Sequence, residues 1–262
     1  MTTTTAAASS TVQTATALPT RRVLRSEWIK IRSARSILGS LAAVFAATAG
    51  ITVLTAAAIG TSEPDALGDD RLLGAFFGIN FGQIAAIAFG ATAFAGEFRN
   101  GALRVSLTAV PNRTALYLSK AAVVAGLAFV VGQITGLVTF LAGQAFMGEY
   151  ALSLGDPGAL RAVFGSGTYL MLIALFAAGL TALVRSGALV MSLLIPFLLI
   201  VPFVVGQVAG GAMDFMPDRA GQMVMRMDAQ GSLGPWTGLG VAALWAVLAL
   251  AAGWFAVRRR DA

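Results

Sequence analysis

Six long apolar runs constrain this chain more than any other feature of its sequence. The hydrocarbon core of a bilayer is about 30 Å thick, so a helix rising 1.5 Å per residue crosses it with about 20 apolar residues. Only 11% of the residues are charged, against about 25% in an ordinary soluble domain. The fold class predicted is therefore all-α: a polytopic membrane bundle of six transmembrane helices, at about residues 37–60, 72–95, 121–147, 168–184, 188–210 and 237–257.

The fourth and fifth runs lie very close together in the sequence. Only Arg185, Ser186 and Gly187 separate them, which predicts a tight helical hairpin. Pro196 and Pro202 lie inside the fifth run. We expect them to kink that helix, because neighbouring groups in a bundle can satisfy the carbonyls that a proline frees.

The charged residues are distributed asymmetrically around these runs. If the N-terminus is cytoplasmic, 14 of the 18 lysines and arginines and only 3 of the 12 acidic residues fall in cytoplasmic segments. This positive-inside pattern predicts an even number of spans with cytoplasmic N- and C-termini. It also places every charged residue outside the spans, which argues against ion coupling, since ion-coupled carriers usually need an ionisable residue within the bilayer.

The residues before the first run divide into two parts with different predicted structures. Residues 1–20, rich in Thr, Ala and Ser, are expected to be a disordered tail, and residues 21–262 to form the membrane domain. Thr20 can cap a basic helix in which Leu24, Trp28 and Ile31 form an apolar stripe. Such a helix favours the membrane interface, with its arginines among anionic head groups. A plain basic flank that only enforces topology is the alternative.

The second run carries the most polar residues predicted to lie inside the membrane. Asn80 and Gln83 together are candidates for a translocation path, although for each residue taken individually an interhelical hydrogen bond worth about 0.6 kcal/mol is the favoured explanation.

The same run also carries small residues at strict four-residue spacing. This pattern favours close helix packing, either within the bundle or across a permease dimer. Its members are Gly74, Gly78, Gly82, Ala86 and Gly90.

Several kinds of chemistry are excluded by composition. The chain has no Cys and no His, which removes thiol nucleophiles, histidine bases and the common zinc sites. We therefore predict no catalytic residue and no metal site. A P-loop needs a Gly-Lys pair, and neither Lys30 nor Lys120 follows a glycine. We predict no ATPase activity for this chain, so if the protein moves anything uphill, the energy comes from another polypeptide on the cytoplasmic side.

A basic segment, residues 97–120, links the second and third runs. A short helical stretch from about residue 101 to residue 110 ends at Pro111, and the helix restarts after Asn112 or Thr114. An ordinary basic loop remains an alternative from these features alone.

The chain resembles the permease subunits of type-2 ATP-binding-cassette (ABC) exporters, in particular their short actinobacterial members. The resemblance covers residues 21–260 and rests on the order of RSEWIKIRS (25–33), EFRNGALR (97–104) and LTAVPNR (107–113) around the predicted spans. It implies a separate cytoplasmic ABC ATPase subunit that binds ATP and Mg²⁺, a second permease copy or paralogue, and the bilayer of the plasma membrane, with no nucleic acid. It also implies that residues 97–120 couple to the ATPase through Glu97, Arg99, Gly101, Arg104, Pro111 and Arg113.

The resemblance leaves other points open. In such permeases an outer re-entrant segment lies between the last two spans, and residues 211–236 supply either that element or a flexible, Met-rich loop. A hydrophobic or amphiphilic cargo fits the apolar spans. The alternative function is a non-transporting membrane partner of an ATPase in an immunity, assembly or signalling complex.

Overall fold

The computed structural model describes residues 20–59, 70–98, 102, 106, 108, 112–205, 210–227 and 232–259. The predicted disordered tail lies almost wholly outside these residues. The described part of the chain contains helices and no strand. The α-helices are α1 (Thr20–Ser33), α2 (Arg35–Ile59), α3 (Arg71–Gly74), α4 (Ile79–Phe98), α5 (Arg113–Gln144), α6 (Ala159–Val184), α7 (Gly187–Val205), α8 (Pro217–Gln222) and α9 (Pro235–Arg259). Three 3₁₀ turns accompany them, at Gly148–Tyr150, Gly210–Phe215 and Met223–Met225.

Five of these helices, α2, α4, α5, α6 and α9, are long and apolar enough to cross a membrane. The all-helical, multi-pass architecture expected from the apolar runs is therefore present. Helix α7 is shorter, with Pro196 and Pro202 inside it. The predicted count of six spans consequently depends on α7 alone.

The predicted hairpin between the fourth and fifth runs is confirmed. Helix α6 ends at Val184 and α7 begins at Gly187. Arg185 adopts the left-handed conformation, with φ 61°, and its N–H donates to the Thr181 carbonyl at 2.7 Å. This hydrogen bond satisfies a carbonyl of the last turn of α6 and reverses the chain.

The second apolar run does not form one continuous helix, so the predicted span 72–95 is wrong at its start. Asp70 caps the single turn of α3 by accepting from Leu73 N–H at 3.0 Å. A turn at residues 75–78 then interrupts the helix before α4 begins at Ile79. The backbone N–H of Gly78 donates to Thr52 Oγ1 of α2 at 2.9 Å. A partner on another helix therefore replaces a helical hydrogen bond at the break.

Helix α6 lies at the centre of the bundle and packs against α4, α5, α7, α8 and α9. Glycines allow its backbone to approach its neighbours closely. A Cβ at Gly167 would meet the backbone of α5, and a Cβ at Gly179 would meet the backbone of α9. Helix α2 packs against α4 and α5, and α1 lies against α2 and α5.

Candidate functional site

Four charged side chains meet where α1, α4 and α5 come together. Lys120 Nζ of α5 lies 2.9 Å from Glu27 Oε2 of α1 and 2.9 Å from Glu97 Oε1 of α4. Lys30 Nζ of α1 lies 2.8 Å from Glu27 Oε1 and 3.3 Å from Glu97 Oε1. Each lysine therefore contacts both glutamates, and the positive and negative charges balance. We refer to these four residues as the charge cluster.

The charge cluster is largely removed from solvent. Glu27 is 0% exposed, Lys120 5% and Glu97 7%, whereas the side chain of Lys30 is 44% exposed. Burying an ion costs several kcal/mol even after the surroundings relax, and only good pairing offsets that cost. Because another arrangement of the three helices would leave a buried charge unpaired, we infer that the cluster specifies how α1, α4 and α5 fit together.

Helical periodicity positions the members of the cluster. Val23, Glu27 and Ile31 recur every four residues and form the buried face of α1. Glu97 is the penultimate residue of α4, and Lys120 lies about two turns into α5. The cluster thus joins the interior face of the first helix to the two helix ends that flank the 97–120 segment.

Ser106 connects the 97–120 segment to the charge cluster. Its hydroxyl donates to Glu97 Oε2 at 3.2 Å and accepts from Lys30 Nζ at 3.1 Å. Burial lowers the pKa of Lys30, but hydrogen bonding and charge from Glu27 and Glu97 outweigh it, so that the pKa is raised overall. Lys30 is therefore a cation at neutral pH. A movement of the segment around Ser106 would act directly on paired charges between helices.

The structure describes two of the six coupling residues that the resemblance implies. Glu97 belongs to the charge cluster. Arg113 is the first residue of α5, and its Nη1 donates to the Val257 carbonyl at 3.1 Å, which ties the segment to the end of α9. The predicted restart after Asn112 is confirmed, since Asn112 Oδ1 accepts from Ala115 N–H at 3.0 Å as the N-cap. The other four lie outside the described residues, namely Arg99, Gly101, Arg104 and Pro111.

The predicted apolar stripe of α1 is divided between two surroundings. Ile31 is 1% exposed and packs in the bundle core, while Leu24 is half-buried and Trp28 is exposed. Ile31, which was expected to contact lipid, therefore lies on the protein-facing side of α1. Glu27 lies on the same face of α1 and contacts Lys120 of α5.

The small-residue stripe packs within this chain. Gly74 ends α3, so the stripe does not lie on one helix. A Cβ at Gly78 or Gly82 would meet Thr48 of α2, whereas a Cβ at Gly90 would meet the Ala174 carbonyl of α6. The remaining member, Ala86, is buried. The stripe thus packs against two different helices of the bundle, α2 and α6.

Asn80 and Gln83 belong to a second polar cluster at the other end of α4. The Tyr169 hydroxyl of α6 donates to Asp218 Oδ1 of α8 at 2.7 Å and also contacts Gln83 Oε1. Gln222 Nε2 donates to Asp218 Oδ1 at 2.8 Å and to Asn80 Oδ1 at 3.2 Å. We call these five residues the Asp218 network. Gln83 and Tyr169 are each 0% exposed, so the geometry shows interhelical hydrogen bonding at these positions.

Two charged residues expected in the loop between the second and third spans lie in helices instead. Glu97 and Lys120 lie within α4 and α5, which continue past the predicted boundaries, and both residues are buried. Asp218, in the segment expected to be either a re-entrant element or a flexible loop, is buried as well. The helices continue through charged positions because each charge finds a partner in the folded bundle.

Sequence reasoning missed most residues of both clusters. The Glu27–Lys30 pair has the spacing of neighbours on one helix, and Glu27 lies at the four-residue interval between Val23 and Ile31. That signal could have identified Glu27 as inward-facing. Tyr169 gives no comparable signal, because its partners come from two other helices.

Comparison with known proteins supports one assignment. The model of the ABC-2 family transporter protein family matches residues 23–208, which include most of α1, the charge cluster, four of the six predicted spans and most of the fifth. A search of curated proteins gave no match to the chain. The match covers more than half of the 262 residues. With its all-helical bundle of membrane-length helices, the chain belongs to the ABC-2 family of transporter membrane proteins.

Proposed function

We propose that this chain is the permease subunit of an ATP-driven ABC exporter. In this proposal six helices, α7 included, cross the plasma membrane with both termini in the cytoplasm, and α1 lies at the inner interface. A separate ABC ATPase binds ATP and Mg²⁺, a second permease copy or paralogue completes the transporter, and the cargo is hydrophobic or amphiphilic. The ABC-2 family match supports this proposal.

The observation that carries the coupling part of the proposal is the attachment of Ser106 to the charge cluster. An ATPase bound to residues 97–120 would move Ser106, and Ser106 bonds to Glu97 and Lys30. Through Lys120 the same cluster reaches α5. One contact on the segment can therefore shift three helices, which is the behaviour that a coupling element needs.

Co-purification from native membranes tests the proposal. The tagged chain should recover an ABC ATPase, and Arg99→Glu should reduce that recovery, because residue 99 lies at the start of the proposed docking segment. Ser106→Ala should reduce recovery less than Arg99→Glu does but should weaken the permease's effect on ATP hydrolysis, since it removes the hydroxyl that joins the segment to the charge cluster. Glu149→Gln, at an exposed residue remote from the segment, is the matched control.

The alternative function, a non-transporting partner of an ATPase, predicts the same recovery of an ATPase. The two functions differ in what hydrolysis does. In proteoliposomes that contain the recovered complex, an exporter moves a hydrophobic dye or lipid analogue in an ATP-dependent manner, whereas a non-transporting partner moves none.

A further inference from the structure

The carboxyl group of Asp218 is buried in the bundle, in α8, which packs against α6 and α9. Asp218 is 8% exposed, and among the residues that the structure describes it forms no salt bridge. It accepts hydrogen bonds from the Tyr169 hydroxyl of α6 at 2.7 Å and from Nε2 of Gln222 at 2.8 Å. Both donors are neutral, so they do not fully replace the hydration that an ionised carboxylate would lose here.

The arginines around this carboxyl group donate to backbone carbonyls. Arg219, the next residue of α8, donates to the Pro202 carbonyl of α7 at 3.0 Å. Arg161 of α6 donates to the Val224 carbonyl at 3.3 Å and to the Arg226 carbonyl. Neither Arg161, Arg219 nor Arg226, all of which the structure describes, forms a salt bridge with the carboxyl group.

The other elements near α8 bring no cation to this point. Helix α7 contains no charged residue, and Arg258 and Arg259 lie in the last turn of α9, whereas α8 contacts its first half. Glu97 is the penultimate residue of α4, at the end opposite the Asp218 network. Asp214, in the turn before α8, accepts from Ser232. Among the described residues, the buried carboxyl group thus has no paired counter-ion.

The hydrogen bonds around Tyr169 lack one hydrogen if Asp218 is ionised. The Tyr169 hydroxyl lies 2.7 Å from Asp218 Oδ1 and also contacts Gln83 Oε1. Both of these oxygens are acceptors, and a hydroxyl supplies a single hydrogen. A proton on Asp218 supplies the second one: Asp218 then donates to Tyr169, and Tyr169 donates to Gln83. The protonated oxygen keeps a lone pair that accepts from Gln222.

We propose that Asp218 is a proton-binding site and that at neutral pH it stays in the bundle as a neutral carboxylic acid. In the charge cluster lysines neutralise the buried glutamates, whereas at this site a proton neutralises the aspartate. Burial raises the pKa of Asp218, and the hydrogen bonds and the charge of Arg219, which lower the pKa, do not outweigh that effect. The proton thus lets an acidic side chain join α8 to α6 without an unpaired charge.

A rival arrangement keeps Asp218 ionised and turns the side-chain amide of Gln83, so that Nε2 donates to Tyr169. Tyr169 then donates its single hydrogen to the carboxylate. This arrangement leaves a buried carboxylate with neutral donors only, and a carboxyl group in such surroundings is neutralised by a proton instead. The two arrangements differ by one proton on Asp218, which infrared spectroscopy detects.

Infrared difference spectroscopy of the purified protein in lipid nanodiscs at pH 7 tests the proposal. A protonated carboxyl group gives a carbonyl band that a carboxylate lacks. A carboxyl group of ordinary pKa, about 3.9, is protonated in about one molecule in a thousand at pH 7, whereas we expect Asp218 to be protonated in most molecules. The band should disappear in Asp218→Asn and remain in Asp214→Asn, the matched control in the preceding turn. A wild-type spectrum without a band that Asp218→Asn removes would overturn the proposal.

If Asp218→Asn does not fold, Tyr169→Phe gives the same information. It removes the acceptor of the carboxyl proton, so the band should move to higher frequency. No band in the wild type, or a band that Tyr169→Phe leaves in place, would overturn the proposal.

Melting temperatures measure the same proton independently of any ATPase or transport. Because the pKa of Asp218 is raised in the folded protein, its contribution to stability is fully present below about pH 3.8 and is lost as the pH rises towards the folded-state pKa. Asp218→Asn stays neutral, so its melting temperature should gain on that of the wild type as the pH rises above 3.8. A difference between the two proteins that stays constant with pH, or that changes in the opposite sense, would contradict the proposal.

Discussion

Replacing Lys120 by Met removes the most buried cation of the charge cluster and keeps a similar side-chain length. Lys120 is 5% exposed and contacts both Glu27 and Glu97. Its removal leaves two buried carboxylates with Lys30, whose side chain is 44% exposed, as their only partner in the cluster. Removing one partner of a buried ion pair costs about 3–5 kcal/mol.

That cost corresponds to a fall in melting temperature of about 6–20 °C for a chain of this size, from roughly 2–4 °C per kcal/mol. The measurement is thermal unfolding of the purified protein in detergent micelles. Lys30→Met is the matched control and should cost only about 1 kcal/mol, because this lysine is partly exposed. The double variant Lys120→Met with Glu27→Gln restores the charge balance and should recover much of the loss. The reasoning would be refuted if Lys120→Met lowered the free energy of unfolding by less than about 1 kcal/mol. It would also be refuted if the double variant lost the sum of what Lys120→Met and Glu27→Gln lose separately.

Three other sets of contacts give further predictions. Gly90→Ala should lower the melting temperature, because its Cβ would overlap the backbone of α6. Gly96→Ala on the same helix meets open space and should leave the melting temperature unchanged or raise it. Gly221→Ala in α8 should lower the melting temperature, because its Cβ would overlap the ring of the buried Tyr169. Gly211→Ala, in the same connecting segment, meets open space and is the control; equal melting temperatures for the two variants would contradict the position of α8. The pKa of Lys30 is raised in the folded protein, so the stabilisation by its positive charge is fully present below about pH 10.5. That stabilisation is lost as the pH rises through the pKa of the folded protein, and the melting temperature should therefore fall above pH 10.5 more in the wild type than in Lys30→Met.

The apolar runs predict most of the helices because bilayer-length hydropathy is a local property. The predicted runs 37–60 and 237–257 correspond to α2 and α9 within about two residues at each end. The break at residues 75–78 could not be seen in this way, since the sequence stays apolar through it. It depends on Thr52 of another helix, which satisfies the N–H of Gly78.

The candidate site was less accessible to prediction. Periodicity indicates which face of a helix a residue occupies, but not which residue lies opposite it. Glu27 and Lys120 are far apart in the sequence, and they form an ion pair only after α1 and α5 have packed together. Glu97 was identified through the resemblance, and its actual partners emerged only with the fold.

The central claim, that residues 97–120 form the surface on which an ATPase acts, is tested most directly by site-specific photo-crosslinking in native membranes. A photoreactive amino acid placed at position 104 should give an adduct that contains an ABC ATPase subunit, and one placed at position 149 should not. Adducts with an ATPase from position 149 only, or from neither position, would contradict the account.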